Sequence, residues 1–156
     1  MTKDELGQYI ATNFEGQLTP VETGKHDLWF EVKAADLLAV CQKLKNEEKL
    51  AFDYLCNLSG VDTGEQFEAV YSLASTTLNH RLDVKVVLPY DGAKIESVQT
   101  VWAAANWHER EVWELYGIEI LNHGNLKRFL LPDEWDQGYP MRKDWDADDF
   151  VRMPEK

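Results

Sequence analysis

Cysteine is scarce in this sequence of 156 residues: there are two, Cys41 and Cys56, and no C-x-x-C pair. So few thiolates cannot by themselves ligate an iron–sulfur cluster through cysteine or build a four-cysteine zinc site. Both read as free, buried apolar residues of a reduced protein. Long apolar runs are missing as well. The longest candidates, Leu37 to Cys41 and Val84 to Leu88, are the size of core segments, far below the roughly 20 residues of a membrane-crossing helix. The mean hydropathy is -0.44. Basic residues are the third shortage: 16 Lys and Arg face 28 Asp and Glu, for a net charge of -12 and a pI near 4.7. Nucleic acid requires a basic face and is a poor partner here. Anionic lipid is disfavoured for the same reason. A basic protein surface, or simple solubility, suits the charge better. The start, Met1-Thr2-Lys3-Asp4-Glu5, has neither the basic opening nor the apolar stretch of a secretory signal and is too acidic for a transit peptide.

Chemical motifs are also absent. No G-x-G-x-x-G, no glycine-rich loop ending in Lys-Ser or Lys-Thr, and no G-x-S-x-G elbow occurs. His108-Glu109 invites a metalloprotease reading, but a second histidine one turn on is needed to put two imidazoles on one face, and position 112 is Val112.

What is present is a globular α+β pattern. Thr2 with Glu5 forms a capping box, and Leu6, Tyr9, Ile10 and Phe14 follow at helical spacing. This predicts a first helix from Lys3 to Phe14, ended by Gly16. A short strand near Leu18 to Glu22 is expected to pair with His26 to Val32 across a turn at Thr23-Gly24-Lys25. Ala35 to Lys45 is a second helix with Leu37, Leu38, Cys41 and Leu44 on one side. Phe52 to Leu58 is ambiguous between helix and strand. Phe67 to Ser75 and Arg81 to Leu88 are strands, the latter with Leu82, Val84, Val86 and Leu88 alternating. Val98 to Asn106 and Trp107 to Tyr116 read as helical, with Gly117 a natural cap. After Leu131 periodicity stops, which divides the chain into a domain over 1–131 and a tail over 132–156. The order of elements indicates a two-layer α/β domain of the α+β class, with helices on one face of a mixed, mainly antiparallel sheet and an extended C-terminal tail.

Residues 107–117 are the densest in candidate chemistry. Glu109 and Glu111, two apart on a helix, point in different directions and cannot pair as carboxylates. Each could act as an acid or base, or simply satisfy neighbours. Arg110 and Glu114, one turn apart, would contribute ~0.3 kcal/mol as an exposed pair. His123 reads as a loop histidine bonded to backbone. In the tail, Trp135 and Trp145 either anchor in a partner's surface or fold back on their own domain. Arg142-Lys143-Asp144 could meet a partner's carboxylates and carbonyls.

Residues 104–145 resemble the C-subunit family of respiratory complex I, the proton-pumping NADH:quinone oxidoreductase. The pattern is carried by Glu109-Arg110-Glu111, Glu114, Leu115-Tyr116, Gly117-Ile118 and His123. It continues through Lys127-Arg128, Phe129-Leu130-Leu131-Pro132 and Asp133-Glu134-Trp135, and ends at Pro140-Met141-Arg142-Lys143-Asp144-Trp145. Upstream it is fainter: Ala105-Asn106-Trp107, Phe52-Asp53, Leu55, Ser59, Val61-Asp62 and Tyr71-Ser72-Leu73. It departs at Gly124, where the family usually has Pro, and at Tyr139, where it often has His.

The resemblance implies two α/β layers with a mixed sheet. It implies a non-catalytic core subunit of the peripheral arm that scaffolds the large quinone-site subunit. Flavin, iron–sulfur clusters and quinone are then expected in partner subunits and no cofactor, metal or catalytic centre in this chain. The chain would sit peripherally on the cytoplasmic side of a bacterial inner membrane, held there only through the complex. Trp135, Arg142, Lys143 and Trp145 would dock the tail along the large subunit, with the Glu109-Arg110-Glu111 helix bracing tail and sheet. The corresponding subunit of an energy-converting hydrogenase or formate hydrogenlyase is the alternative.

Overall fold

The capping box at the start of the chain forms as its spacing demands. Thr2 Oγ1 accepts the Glu5 N–H at 3.3 Å, and the Glu5 carboxylate accepts the Thr2 N–H at 2.8 Å. In this computed structural model, which describes residues 1–23 and 28–147, α1 spans Lys3–Asn13, and Leu6, Ile10 and Phe14 enter the core. The expected turn at Gly24-Lys25, His26, and Asp148, Asp149, Phe150 and Pro154 in the tail lie outside the described residues.

β1 (Leu18–Pro20) pairs antiparallel with β2 (Trp29–Val32). A single 3-10 turn at Ala34–Asp36 leads into α2 (Leu37–Asn46), which buries Leu37, Val40, Cys41 and Leu44. The ambiguous segment resolves as β3 (Tyr54–Asp62), followed by β4 (Gln66–Ala74) and β5 (Arg81–Pro89). The five strands order as β1-β2-β5-β4-β3. The β2–β5 pair is parallel and the other three are antiparallel, so the sheet is mixed and mainly antiparallel.

Alternation decides which face is covered. Phe67, Ala69, Tyr71 and Leu73 of β4 and Leu82, Val84, Val86 and Leu88 of β5 share one core with the inward residues of all three helices. The opposite face is polar, with Lys85 Nζ 2.9 Å from Glu68 and Ser72 bonded to Asp83 across the strands.

Two expectations are corrected here, and one strand pair is found that the sequence pattern does not announce. Val98 to Ala104 is a run of turns, and only α3 (Ala105–Tyr116) is helical. The Trp102 side chain is buried and donates to the Phe52 carbonyl at 2.9 Å, a long-range tie that fixes the segment outside a helix. Cys56 is exposed, unlike the buried Cys41. A register shift in the β3–β4 pairing between Leu55 and Asn57 falls at this residue and takes it out of the inward alternation. Finally, two strands too short to show a period, β6 (Lys94–Glu96) and β7 (Glu119–Leu121), form a separate parallel pair beside α3.

Candidate functional site

α3 brings the candidate residues together, and its charges point inward. Glu109 and Glu114 lie about one and a half turns apart, with Arg110 between them. All three are buried. A buried charge is tolerable only when hydrogen-bonded, and each of these has partners in the chain's own backbone.

The Glu109 carboxylate accepts Ser97 Oγ–H at 2.6 Å and Val98 N–H at 2.6 Å, tying α3 to the turn that follows β6. Burial pushes its carboxyl up to about 7, against the lowering effect of those two bonds, and the nearby Glu96 adds repulsion. His123 Nε2 lies 3.7 Å from the same carboxylate. Its Nδ1 accepts the Asn125 N–H at 3.1 Å and its Nε2 is 3.1 Å from the Asn106 carbonyl. The tautomer with hydrogen on Nε2 satisfies both contacts. His123 is therefore a loop histidine bonded to backbone.

Arg110 does not pair with Glu114. Its Nε donates to the Lys127 carbonyl at 2.7 Å and its Nη2 to the Arg128 carbonyl at 3.3 Å. The guanidinium lies 4.5 Å from the Trp107 ring centre and 4.8 Å from that of Phe129. Glu114 accepts the backbone N–H groups of Phe129, Leu130 and Leu131 at 2.8 to 3.3 Å. An i,i+4 ion pair was the simple sequence expectation, but two charges facing a returning segment satisfy more backbone groups than they would facing each other. Glu111 points elsewhere, is half-buried, and makes no carboxylate pair with Glu109.

The segment 127–145 thus forms a strap laid along α3. Arg128 Nη1 donates to the carbonyls of Asp133 and Trp135 at 3.2 and 2.7 Å. The Trp135 and Trp145 rings stack with centres 6.3 Å apart, and their indole N–H groups donate to the carbonyls of Gly138 and Gln137. At the far end of α3, Gly117 adopts φ 72°, and a Cβ there would come within 2.5 Å of the Tyr139 ring and 2.7 Å of Arg142. Arg142 Nε donates to the Tyr116 carbonyl at 2.6 Å, and its guanidinium lies over the Phe67 and Tyr139 rings. The Lys143 N–H donates to Asp62 Oδ2 at 2.8 Å, while the Lys143 side chain and Asp144 are exposed.

Asp62 is the residue that the sequence reading left outside the site. Burial opposes its charge, but the N–H groups of Lys143 and Gly64 and the Tyr90 hydroxyl outweigh that and hold its carboxyl below the usual range. Ser97 was missed as well. A serine one residue before a predicted helix carries no signal that a carboxylate twelve residues on will bond it.

Among the described residues no group of three His, Cys, Asp or Glu gathers as a metal site. No helix among them is long and apolar enough to cross a membrane. A cleft of about 530 Å³ between α2 and β6, and others of about 290 and 410 Å³ beside α1, include none of Glu109, Arg110, Glu114 or Arg142.

Fold and site together define a domain whose signature charges organise its own C-terminal strap. The chain belongs to the family described as respiratory-chain NADH dehydrogenase, 30 Kd subunit, whose profile matches residues 30–151. It is 37% identical over 151 residues to the C subunit of NADH-quinone oxidoreductase from Geobacter metallireducens, covering 94% of this chain and 91% of that protein. It is 37% identical to the same subunit from Chloroherpeton thalassium over 92% of this chain, but spans only 57% of that protein's length. Over 69% of its length it is 47% identical to the C subunit of F(420)H(2) dehydrogenase from Methanosarcina mazei, of which it covers 68%. The fold is shared with a chain of a membrane-bound sulfane sulfur reductase, an archaeal respiratory complex (TM-score 0.78, 23% identity, 100% of this chain and 99% of that one). It is also shared with a trypsin-resistant fragment of Nqo5 (TM-score 0.65, 22% identity, 81% of this chain and 100% of that one).

Proposed function

We propose that this chain is a non-catalytic core subunit in the peripheral arm of a proton-pumping NADH:quinone oxidoreductase, where it scaffolds the large quinone-site subunit. One observation carries the reading: Glu109, Arg110, Glu114 and Arg142, the charges a catalytic site would need free, are each bonded to this chain's own backbone. A group so engaged positions structure and is poorly placed to move a proton to substrate. Flavin, iron–sulfur clusters and quinone then belong to partner subunits, and this chain binds none of them. It reaches the cytoplasmic face of a bacterial inner membrane only through those partners. The relatives that are C subunits of NADH-quinone oxidoreductases support the assignment.

The test is to recover the tagged chain from solubilised membranes and identify its companions by mass spectrometry. A flavin-bearing NADH module with membrane subunits is the expected result. A nickel–iron catalytic subunit instead would move the chain to the hydrogenase branch. The 47% identity to an F(420)H(2) dehydrogenase subunit favours one second reading, the same scaffold with a different electron-input module. Co-purification of an F(420)H(2)-oxidising subunit would select it.

A further inference from the structure

The cleft of about 290 Å³ beside α1 lies between the first turn of that helix and the Asn79-His80-Arg81 entry to β5, with Leu6 and Leu28 in its wall. Its charge runs against that of the chain. In a molecule of net charge -12, Lys3 and Arg81 stand at this cleft, and none of the described residues lining it is acidic. The acids of the first turn are directed elsewhere. Glu5 accepts the Thr2 N–H, and Asp4 lines the neighbouring cleft with Trp29. Among the described residues no ion pair holds Lys3 or Arg81.

The wall of the cleft also holds an unsatisfied group. His80 is 6% exposed, and its Nδ1 has no hydrogen-bond partner among the described residues. The Leu50 carbonyl bonds the ring. That bond is made through Nε2, which carries the hydrogen, so Nδ1 presents a bare lone pair. Burial pushes the imidazole below its usual range and keeps it neutral. A buried polar atom without a partner is rare and calls for something to complete it.

Two cations and one lone pair select the chemistry. A cationic donor is repelled by Lys3 and Arg81. Sulfate and carboxylates suit the cations but at neutral pH carry no hydrogen for Nδ1. A phosphate group supplies both, because its second ionisation falls near neutrality, at about pH 6 in an ester. We infer that this cleft is a phosphate site, in which the ligand's P–O–H donates to His80 Nδ1 while Arg81 and Lys3 donate to its charged oxygens. The volume is at the low end for ligand pockets, about 300–1,000 Å³, which suits a free phosphate or the phosphate end of a small monoester. The site shares no residue with α3 or the strap and does not depend on the proposed function.

Calorimetric titration of the full-length chain, near neutral pH and at constant low ionic strength, tests this with inorganic phosphate, glycerol 3-phosphate and sulfate as probes. Phosphate should bind saturably and sulfate at least about tenfold more weakly, the loss of one hydrogen bond to a buried acceptor. Lys3→Gln with Arg81→Gln should weaken phosphate binding about tenfold or more. Lys33→Gln with Lys94→Gln, exposed lysines that do not line the cleft, should leave it unchanged. His80→Gln should bring phosphate down to the affinity of sulfate. Should that variant prove misfolded by circular dichroism, the wild-type His80 Nδ1 resonance in nitrogen NMR decides: it should move on adding phosphate and stay on adding sulfate. Tighter binding of glycerol 3-phosphate supports the site and marks a monoester as the ligand, and tighter binding of inorganic phosphate supports it and marks the free ion. Four results each overturn the inference: no saturable phosphate binding, sulfate binding as tight as phosphate, an unchanged affinity in the Lys3 and Arg81 variant, or an unmoved His80 resonance. None of them touches the proposed function, which is read from the subunits recovered with the chain.

Discussion

In the sheet, Phe67, Tyr71 and Leu73 of β4 lie beside Val84, Val86 and Leu88 of β5 over a regular backbone ladder, and the inward side chains are almost all apolar. Along α3, Arg110 and Glu114 hold the strap and Glu109 holds the turn after β6, and what they bond are particular backbone atoms and one serine hydroxyl. Apolar burial is non-directional and tolerates swaps of similar volume. A carboxylate cradled by three N–H groups tolerates none. This is why the family pattern is dense after Ala104 and faint through the strands: the strap needs particular residues, and the sheet needs only a period.

The comparison can be broken most forcefully at the sheet. Leu73→Ala, at a side chain 2% exposed, should cost about 2–5 kcal/mol. Urea melts followed by circular dichroism and by tryptophan fluorescence should shift together, because the core is shared by all three helices.

Glu109→Gln comes next, and its effect depends on pH. Burial raises the folded carboxyl from 4.5 to about 7. Its contribution is therefore complete below about pH 4.5 and is lost as pH rises through 7, by an amount on the order of 3 kcal/mol. The glutamine variant should flatten that decline in urea melts taken across the window. Asp62 has the opposite sign: its carboxyl is lowered from 3.8, so its contribution is present above that value and is lost as pH falls. A Glu109→Gln protein that keeps the wild-type slope would mean that the buried carboxyl is not the source.

Glu114→Gln should cost about 1–3 kcal/mol, the loss of a charged acceptor from partly buried donors, and the effect should be local. Hydrogen exchange should show the amides of Phe129, Leu130 and Leu131 losing protection while those of β4 keep theirs. Gly117→Ala should cost about 1–2 kcal/mol for the left-handed backbone alone, and the added Cβ, 2.5 Å from the Tyr139 ring and 2.7 Å from Arg142, should displace both, visible as increased exchange over 139–143.

These contrasts also set what could be read in advance. The capping box, the alternation of Leu82 to Leu88 and the end of α3 at Gly117 are local and were legible. The parallel β6–β7 pair was not, because strands of three residues show no period. Arg110 was recognisable as important, but its partners were hidden: a carbonyl at Lys127 looks like any other in sequence. The expectation of a helix from Val98 failed because Trp102 is claimed by Phe52, fifty residues away. The sequence allows two fates for Trp135 and Trp145, and the structure stacks them on each other within the strap.

The central claim is that the signature charges build structure and do no chemistry. The measurement that reaches it most directly is quinone-reductase turnover per assembled complex for Glu114→Gln, set beside the yield of that complex. Reduced yield with wild-type turnover per complex is the result the account predicts. Wild-type yield with lost turnover would contradict it, and would make the α3 carboxylates part of the reaction.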